Sequence, residues 1–283
     1  MSSLSQQRIT WRQSSILPGF APSLTITLIW LCVIVVGPLA VMLWFTASLG
    51  WHGFFAIITR PRVLADLRVS LSSALFASGA NALFGLLVAW VLTRYRFPGR
   101  RTADALVDLP FALPTAVAGI ALSTLYAPQG WLGSLLLPFG LRIAFTPTGI
   151  IVAMMFVSLP FIVRTLQPVI EDLDAEQEEA AGLMGASPLQ IFWRISLPAL
   201  LPSLLTGFAL AFARCLSEYG SIIFIAGNKP MISEILPVLI VVQLDQFDYQ
   251  GATAIGTLLL AVSFLLLLAI NLLQSWVRRR QDG

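Results

Sequence analysis

The residues best suited to a chemical role lie in a polar segment between two long apolar runs. Glu179 is followed by Ala180 and Ala181 and, after three further residues, by Gly185. Nine residues separate this glycine from the sequence Ile195-Ser196-Leu197-Pro198. A carboxylate can pair with a basic or backbone donor of a neighbouring protein, alanines allow close approach, and glycine can form a tight turn. The pattern favours docking on a partner protein over catalysis within the chain.

A second candidate group is the pair Arg214 and Glu218, four residues apart in 200–226, the fifth of six long apolar runs in the sequence. On a helix this spacing places both side chains on one face. A charge deep in a membrane costs at least ~2.5 kcal/mol, so an arginine there indicates a function, and its guanidinium offers planar donors to an anionic group. The alternative is an ion pair that only holds the helix in its bundle. Because Glu218 would repel an anion, we expect it to neutralise Arg214 or to gate the path.

Two prolines predict a loosened helix in the third apolar run. Pro110 and Pro114 lack the backbone N–H group that a helix uses, and they free neighbouring carbonyl groups. Thr115 and Ser123 are therefore candidate hydroxyl groups of a translocation pathway. Asp108, just before this segment, is expected to cap the start of the helix.

Catalytic chemistry lacks the necessary residues. The sequence has no G-x-x-x-x-G-K-[ST] phosphate-binding loop, so we expect this chain to be non-catalytic, to bind no cofactor and to leave ATP hydrolysis to another protein. The single histidine, His52, follows Trp51 at a predicted membrane edge, where an interfacial role is expected. Cys32 and Cys215 lie in apolar runs and are interpreted as buried small hydrophobic residues, not as a disulfide or a metal site.

The composition is that of an integral membrane protein. Of 283 residues, 57% are hydrophobic and only 11% are charged, whereas a soluble domain carries roughly a quarter charged residues. A membrane-spanning helix needs ~20 apolar residues, and the alternation of membrane β-strands is absent. We predict an all-α, polytopic protein of six spans, at 24–47, 69–92, 106–126, 148–166, 200–226 and 252–276.

The distribution of basic residues predicts that both termini are cytoplasmic, because cytoplasmic segments carry an excess of Lys and Arg. In this orientation eleven basic residues lie inside, five lie outside, and Arg214 lies within a span. The chain then divides into a cytoplasmic segment 1–23, a transmembrane domain 24–276 and a cytoplasmic tail 277–283. The run 235–242 is too short to span and is interpreted as interfacial or re-entrant; a seventh span would place the basic tail outside.

The longest cytoplasmic loop, 167–199, is predicted to form a helix, a turn and a second helix. An acidic, helix-favouring stretch covers 171–181, Gly185 can supply the left-handed turn, and Ser187 can cap a second helix with Pro188 at its first position. The simpler alternative is an acidic connector exposed to water.

Several segments together resemble the sulfate/thiosulfate permease subunits of type I ABC importers. The resemblance covers roughly 18–277, and in the docking loop (the EAA loop of that family) it shows no departure. The other segments that carry it are Thr93 to Arg100, Asp108 to Gly119 and Ser217 to Asn228.

This resemblance implies a fold, an activity and a set of partners. The chain would be half of the translocation pathway of an ATP-driven importer in the bacterial inner membrane. It would pair with a second, similar permease, with two copies of a sulfate-transport ATPase that binds ATP and magnesium, and with a periplasmic sulfate-binding protein. Glu179, Ala180, Ala181 and Gly185 would couple it to the ATPase. Membrane lipid would surround the chain, and no nucleic acid is expected as a partner.

Two alternatives stay open at this point. Permeases for molybdate, tungstate or phosphate share the docking loop and the proline-rich third helix, and tetrahedral oxyanions differ little at a pore. An ion-coupled secondary transporter is disfavoured because no internal repeat is evident and the docking loop would have no use. The sequence does not distinguish sulfate from thiosulfate, since the periplasmic binding protein is expected to make the main selection.

The predicted topology can be tested with reporter fusions along the full-length chain. Fusions at Arg100 and Gly182 should report a cytoplasmic location, and a fusion at Lys229 an external one, because of the excess of basic residues inside. A fusion that places Gly182 outside the cytoplasm would overturn both the orientation and the docking role.

Overall fold

The computed structural model describes residues 20–281, and every regular element in that range is helical. This confirms the prediction of an all-α membrane protein. Two π-helical segments, Cys32–Val36 and Phe192–Ser196, and one 3-10 segment, Leu137–Phe139, connect α-helices. The α-helices are α1 (Phe20–Leu31), α2 (Gly37–Ser48), α3 (Gly50–Ile58), α4 (Pro61–Arg94), α5 (Arg100–Val107), α6 (Leu109–Ala112), α7 (Thr115–Tyr126), α8 (Trp131–Leu136), α9 (Pro147–Glu171), α10 (Ala175–Leu183), α11 (Pro188–Ile191), α12 (Leu197–Leu216), α13 (Ile222–Ile225), α14 (Leu236–Asp245) and α15 (Tyr249–Gln281).

Five helical segments of the described chain are long and apolar enough to cross a membrane. Each overlaps one predicted span, namely the first, second, fourth, fifth or sixth. The second is longer than predicted, since α4 has 34 residues and begins directly at Pro61, which is a favourable first residue of a helix. The five segments are Pro22–Ser48, Pro61–Arg94, Pro147–Glu171, Pro188–Leu216 and Tyr249–Ser275.

The third predicted span, 106–126, is not one continuous helix. It is divided into the end of α5, the short α6 and the 12-residue α7. Leu113 has an extended backbone, with ψ of 133°, because the ring of Pro114 disfavours the helical conformation in the residue before it. The expected loosening near Pro110 and Pro114 is therefore a complete break, and this crossing is built from short pieces.

The fifth predicted span, 200–226, also ends earlier than expected. Helix α12 stops at Leu216, the next five residues are not helical, and α13 is a single turn. Polar and small residues in Ser217–Ser221 interrupt the apolar run, which sequence hydropathy had treated as continuous. The apolar segment predicted at 235–242 forms α14, whose 10 residues are too few to span.

Three helices, α4, α9 and α12, form the centre of the bundle. Ile162 of α9 is fully buried between two glycines of the other helices. A Cβ atom added at Gly85 would lie 2.8 Å from Ile162 Cγ2, and one at Gly207 would lie 3.1 Å from Ile162 Cα. Small residues let membrane helices approach closely, and close van der Waals contact is a main driving force for their association. The two glycines therefore set the spacing of the core.

Hydrogen bonds between buried side chains also join these three helices. The Nδ2 atom of Asn81 donates to the Met155 carbonyl oxygen (2.7 Å) and to Ser158 Oγ (2.9 Å). The hydroxyl of Ser78 approaches Cys215 Sγ at 3.8 Å. A polar group in hydrocarbon must find an internal partner, so these contacts connect α4 to α9 and α12 at defined positions.

The first spanning segment lies at the periphery of the bundle. None of its most apolar window is buried, although Thr46 Oγ1 lies 2.9 Å from Thr257 Oγ1 of α15. Cys32 in this segment is exposed and Cys215 is buried, both as free thiols. The interpretation of both cysteines as buried residues was therefore wrong for Cys32, because the rest of the described chain does not cover its helix.

The close contact at Gly85 predicts a loss of stability on substitution. Gly85→Val should lower the free energy of unfolding by about 1–3 kcal/mol, because its methyl groups would overlap Ile162. Gly79→Val is the matched control in the same helix, since no atom lies within 4 Å of a Cβ placed there. Thermal unfolding of the purified subunit in detergent measures both, and equal midpoints for the two variants would contradict this account of the core.

Candidate docking and translocation sites

The polar loop folds as two short helices around a left-handed turn. Helix α10 begins after Asp174, whose Oδ1 atom accepts the backbone N–H of Glu176 at 3.0 Å. Gly185 follows α10 with φ of 88°. Ser187 then caps α11: its Oγ atom accepts the Gln190 N–H, and the Gln190 side chain accepts the Ser187 N–H. The acidic stretch 171–181 is thus divided between the end of α9 and α10, and is not one helix as expected.

Four predicted coupling residues lie close together in this loop, but they do not face the same way. Glu179 and Ala180 are exposed, whereas Ala181 is only 6% exposed and packs inward. Beside them Leu183 and Met184 are 91% and 83% exposed. Sequence reasoning missed these two residues, although large apolar side chains within a polar loop were a usable signal. The exposed surface therefore combines one carboxylate with two long apolar side chains.

Glu178, which sequence reasoning also missed, connects this loop to the bundle. Its Oε1 atom accepts hydrogen bonds from Arg94 Nη2 at 2.9 Å and from Ser196 Oγ at 3.0 Å. The Arg94 guanidinium also lies 5.2 Å from the centre of the Trp90 ring, within the range of cation–π attraction. Trp90 in turn meets Phe192 edge to face.

A further ion-pair cluster joins α5 to α9. Arg164 donates to Asp108 Oδ1 (2.8 Å), to Asp104 Oδ1 (2.7 Å) and to the Asp104 carbonyl oxygen (3.0 Å). The hydrogen bond from Gln167, followed by the pairing with Arg164, lowers the pKa of Asp104 below its usual value. Asp108 makes no capping hydrogen bond. The capping prediction was therefore wrong, because a charged partner on α9 competes for the same carboxylate.

Arg214 and Glu218, the second candidate group, do form an ion pair, but at the end of a helix and not within one as predicted. Arg214 Nη1 lies 2.6 Å from Glu218 Oε2, and the side chain of Glu218 is 1% exposed while that of Arg214 is 27% exposed. Arg214 lies in the last turn of α12, not near the middle of a helix, and Glu218 follows the helix end. The other oxygen of Glu218 accepts the backbone N–H and the hydroxyl of Ser221, both at 2.8 Å.

Helix α7 places Thr115, but not Ser123, beside this pair. A Cβ atom added at Gly220 would lie 2.1 Å from Thr115 Oγ1, and one at Gly119 would lie 2.4 Å from the Ser221 carbonyl oxygen. Thr115 is therefore in direct contact with the segment that holds Glu218. Ser123 instead donates to the Ile120 carbonyl oxygen and lines an open cleft of about 800 Å³ near Trp131 and Phe145.

A fourth charged group lies at the other end of α4. Arg62 donates two hydrogen bonds to Glu234, at 2.8 and 2.9 Å, and Glu234 is 2% exposed. Nearby Asp66 is fully buried, and neither carboxylate oxygen has a donor partner among the described residues. Sequence reasoning missed this group because Asp66 and Glu234 are far apart in the chain and lie next to ordinary apolar runs.

Comparison with known proteins identifies the class to which this arrangement of broken helices and exposed loop belongs. The family described as "Binding-protein-dependent transport system inner membrane component" matches residues 81–283. The chain belongs to this family, and it is a multi-pass membrane component of a transport system.

Individual relatives show which members of this family the chain is similar to. A "Sulfate transport system permease protein CysT" of Synechocystis sp. is 52% identical over 254 residues, which is 90% of this chain and 89% of that protein. The protein of the same name from Escherichia coli K12 is 49% identical over 268 residues, which is 95% of this chain and 97% of its relative. The resemblance inferred from the sequence motifs is therefore confirmed.

Solved structures support the fold. A chain of a bacterial ABC transporter for the polysaccharide alginate superposes with a TM-score of 0.73 at 18% identity, covering 90% of this chain and 94% of that one. A chain of the inward-facing MetNI methionine transporter gives 0.57 at 20% identity, covering 76% and 96%. The fold is thus that of an ABC importer permease, with which the predicted count of six spans is consistent once the broken third crossing is included.

The Arg214–Glu218 pair gives a prediction that separates a pathway role from a structural one. If Arg214 lowers the barrier for an anion, Arg214→Ala should reduce uptake at least about tenfold, equivalent to about 1.4 kcal/mol, while assembly persists. Arg214→Lys should restore only part of it, because the planar fork is lost. Uptake into proteoliposomes and co-purification of the complex are the measurements, with exposed Arg68→Ala as the control.

The structural role predicts a different pattern. Breaking a buried pair from one side costs about 3–5 kcal/mol of stability, so Arg214→Ala would disrupt the complex. Removing Glu218 as well would then restore both assembly and uptake. Recovery of uptake in the Arg214→Ala, Glu218→Ala double variant would exclude the pathway role.

Proposed function

We propose that this chain is the sulfate/thiosulfate-transporting permease subunit of a type I ABC importer. In this role it forms half of the translocation pathway and docks on an ATPase through the loop around α10. The observation that carries the proposal is this exposed loop. It occurs in a chain that shares about half of its residues with a sulfate permease, in an alignment that covers 90% of the chain. ATP hydrolysis, with its magnesium ion, is assigned to the partner ATPase.

The exposed surface of the loop suits a protein partner. Leu183 and Met184 extend almost completely into solvent, and burying a side chain of this kind stabilises a complex by about 1.5–3 kcal/mol. Glu179 lies on the same loop and supplies a charge that a basic residue of the ATPase can meet. Gly185 fixes the sharp turn that presents these side chains, because its left-handed backbone is strained for any other residue.

The remaining partners follow from the same assignment. A second, similar permease would cover exposed apolar residues on the broken third crossing, such as Phe111, Val117 and Ile120. A second copy of the ATPase would bind that permease, and a periplasmic sulfate-binding protein would deliver the anion to the outer face. Both chain termini are then cytoplasmic and the membrane is the bacterial inner membrane, in agreement with the excess of arginine around α5, namely Arg94, Arg96, Arg100 and Arg101.

The pathway is proposed to pass the segment between α12 and α13. There Arg214 keeps about a quarter of its side chain exposed while Glu218 holds it in place, and Thr115 adds a hydroxyl group beside them. Partial neutralisation suits transport, because an anion that bound tightly would not leave. Ser123 is further along α7 and would contribute at the cleft near Trp131. Selection of sulfate over similar oxyanions is assigned mainly to the binding protein.

The docking role can be tested in the reconstituted complex. Glu179→Lys should lower sulfate uptake and co-purification of the ATPase by at least about thirtyfold, the effect of losing an interface residue worth about 2 kcal/mol. Gly185→Val should have the same effect by preventing the left-handed turn. Labelled sulfate uptake is measured with and without ATP and the binding protein, with molybdate and phosphate as competitors.

Glu176→Lys is the matched control, because it makes the same charge change at an exposed residue of α10 outside the predicted coupling group. Normal uptake and normal ATPase co-purification in both Glu179→Lys and Gly185→Val would require the docking role to be abandoned. Uptake that is abolished by molybdate or phosphate at equal concentration would contradict sulfate as the substrate.

A further inference from the structure

A single carboxylate oxygen joins three separate parts of the fold at the base of the docking loop. Glu178 Oε1 accepts from Arg94, the last residue of α4, and from Ser196, which ends the π-helical segment before α12. Glu178 itself belongs to α10. This oxygen is thus shared by the docking helix and two helices of the central bundle.

The other participants in this contact are held firmly. Ser196 is 1% exposed, and the Arg94 and Glu178 side chains are only 26% and 23% exposed. Arg94 is stacked on Trp90, and Trp90 contacts Phe192 at the start of the same π-helical segment. A charge-assisted hydrogen bond at a partly buried site is stronger than one in open solvent, so a displacement of Glu178 is transferred to its partners.

The two sides of α10 have different roles. Glu179 and Ala180 are exposed and carry the proposed contact with the ATPase. Glu178 and Ala181 face the bundle instead. Neighbouring Glu176 is exposed and makes no side-chain contact with the bundle among the described interactions. A force on the exposed side would therefore reach α4 and the π-helical segment before α12 through the Glu178 side chain.

Helix α12 connects this contact to the proposed pathway. It runs from Leu197 to Leu216, with Pro202 inside it, and carries Arg214 in its last turn. At its other end, the π-helical segment Phe192–Ser196 is a widened turn, a feature often found at functional sites. A widened turn next to this helix allows α12 to shift, which would move Arg214 relative to α7.

We propose that Glu178 is the positioning residue that transmits movement of the docking helix to α4 and α12. Through Arg94 and Ser196 it converts closure of the ATPase into displacement of the Arg214 end of the pathway. This inference rests on the proposed function, since it requires an ATPase on the exposed side of α10. Glu178 touches neither the ATPase nor the anion, and its effect is on the sulfate transported for each ATP hydrolysed.

The test uses the complete importer in proteoliposomes, with sulfate uptake and ATP hydrolysis measured in the same sample. Glu178→Gln should keep ATPase co-purification but lower sulfate uptake per ATP by about two- to thirtyfold, the range for residues that carry coupling between sites. Glu176→Gln, the same change on the same helix, should leave the ratio unaltered. Ser196→Ala should lower the ratio in the same direction while leaving the charge in place.

A double-mutant cycle makes the test specific to this contact. Arg94→Gln should lower the ratio as Glu178→Gln does, and the two together should be no worse than either alone, because both remove one interaction. Arg94→Lys should retain most of the ratio, since a single charged donor suffices for one oxygen. A residue that only stabilised the fold would reduce uptake and ATP hydrolysis together and leave their ratio constant.

The outcomes distinguish this inference from the proposed function. If Glu179→Lys loses the ATPase while Glu178→Gln matches the Glu176→Gln control, transmission through Glu178 is overturned and the docking role survives. If Glu178→Gln itself loses the ATPase, Glu178 belongs to the docking surface and the inference is also overturned. If Glu179→Lys and Gly185→Val both keep uptake and the ATPase, the docking role in the proposed function fails first. Should the Glu178→Gln permease not accumulate in the membrane as a folded subunit, an unaltered ratio in Ser196→Ala and Arg94→Gln would overturn the inference.

Discussion

Every backbone polar group that enters hydrocarbon must be satisfied within the protein, and the rest of the structure depends on this constraint. The long helices meet it internally. The chain departs from helix at Leu113–Pro114 and Ser217–Ser221, and the second break packs on α7 just after the first, with Gly119 against the Ser221 backbone and Gly220 against Thr115. Irregular backbone is tolerated at membrane depth where protein covers it or where it lines a cavity, so the breaks coincide with the proposed pathway.

Buried charged side chains, like backbone polar groups, must find partners within the protein. The buried carboxylate Glu218 has an arginine four residues away in sequence, whereas Glu234, Glu178 and the pair Asp104 and Asp108 meet arginines from distant helices. The local pair fixes one short segment. The distant pairs fix helices relative to one another at both ends of the bundle. Removing one partner would leave the other charge without a nearby counter-charge. Since desolvation offsets much of the attraction within an intact pair, such contacts set the positions of the helices more than they add stability.

Sequence periodicity and local signals predicted the long helices, the turn at Gly185 and the cap at Ser187, because each depends on residues within a few positions. The predictions that needed distant partners were wrong or missing. Asp108 was assigned to its own helix, yet its carboxylate is bound by Arg164, 56 residues away. Glu179 was singled out by spacing, while adjacent Glu178 was overlooked, since only the folded chain brings Arg94 to it. The sequence-based prediction likewise treated α12 and α13 as one span, because five polar or small residues barely lower the mean hydropathy of a long window.

The peripheral first helix has a consequence for the history of the protein. Its apolar window contributes nothing to the buried interior, and the family match begins only at residue 81, well after it. Changes in its sequence are therefore constrained by hydrophobicity and length rather than by complementary shape. Over evolutionary time such a segment can drift in sequence or in length at little cost to the packing of α4, α9 and α12 against one another.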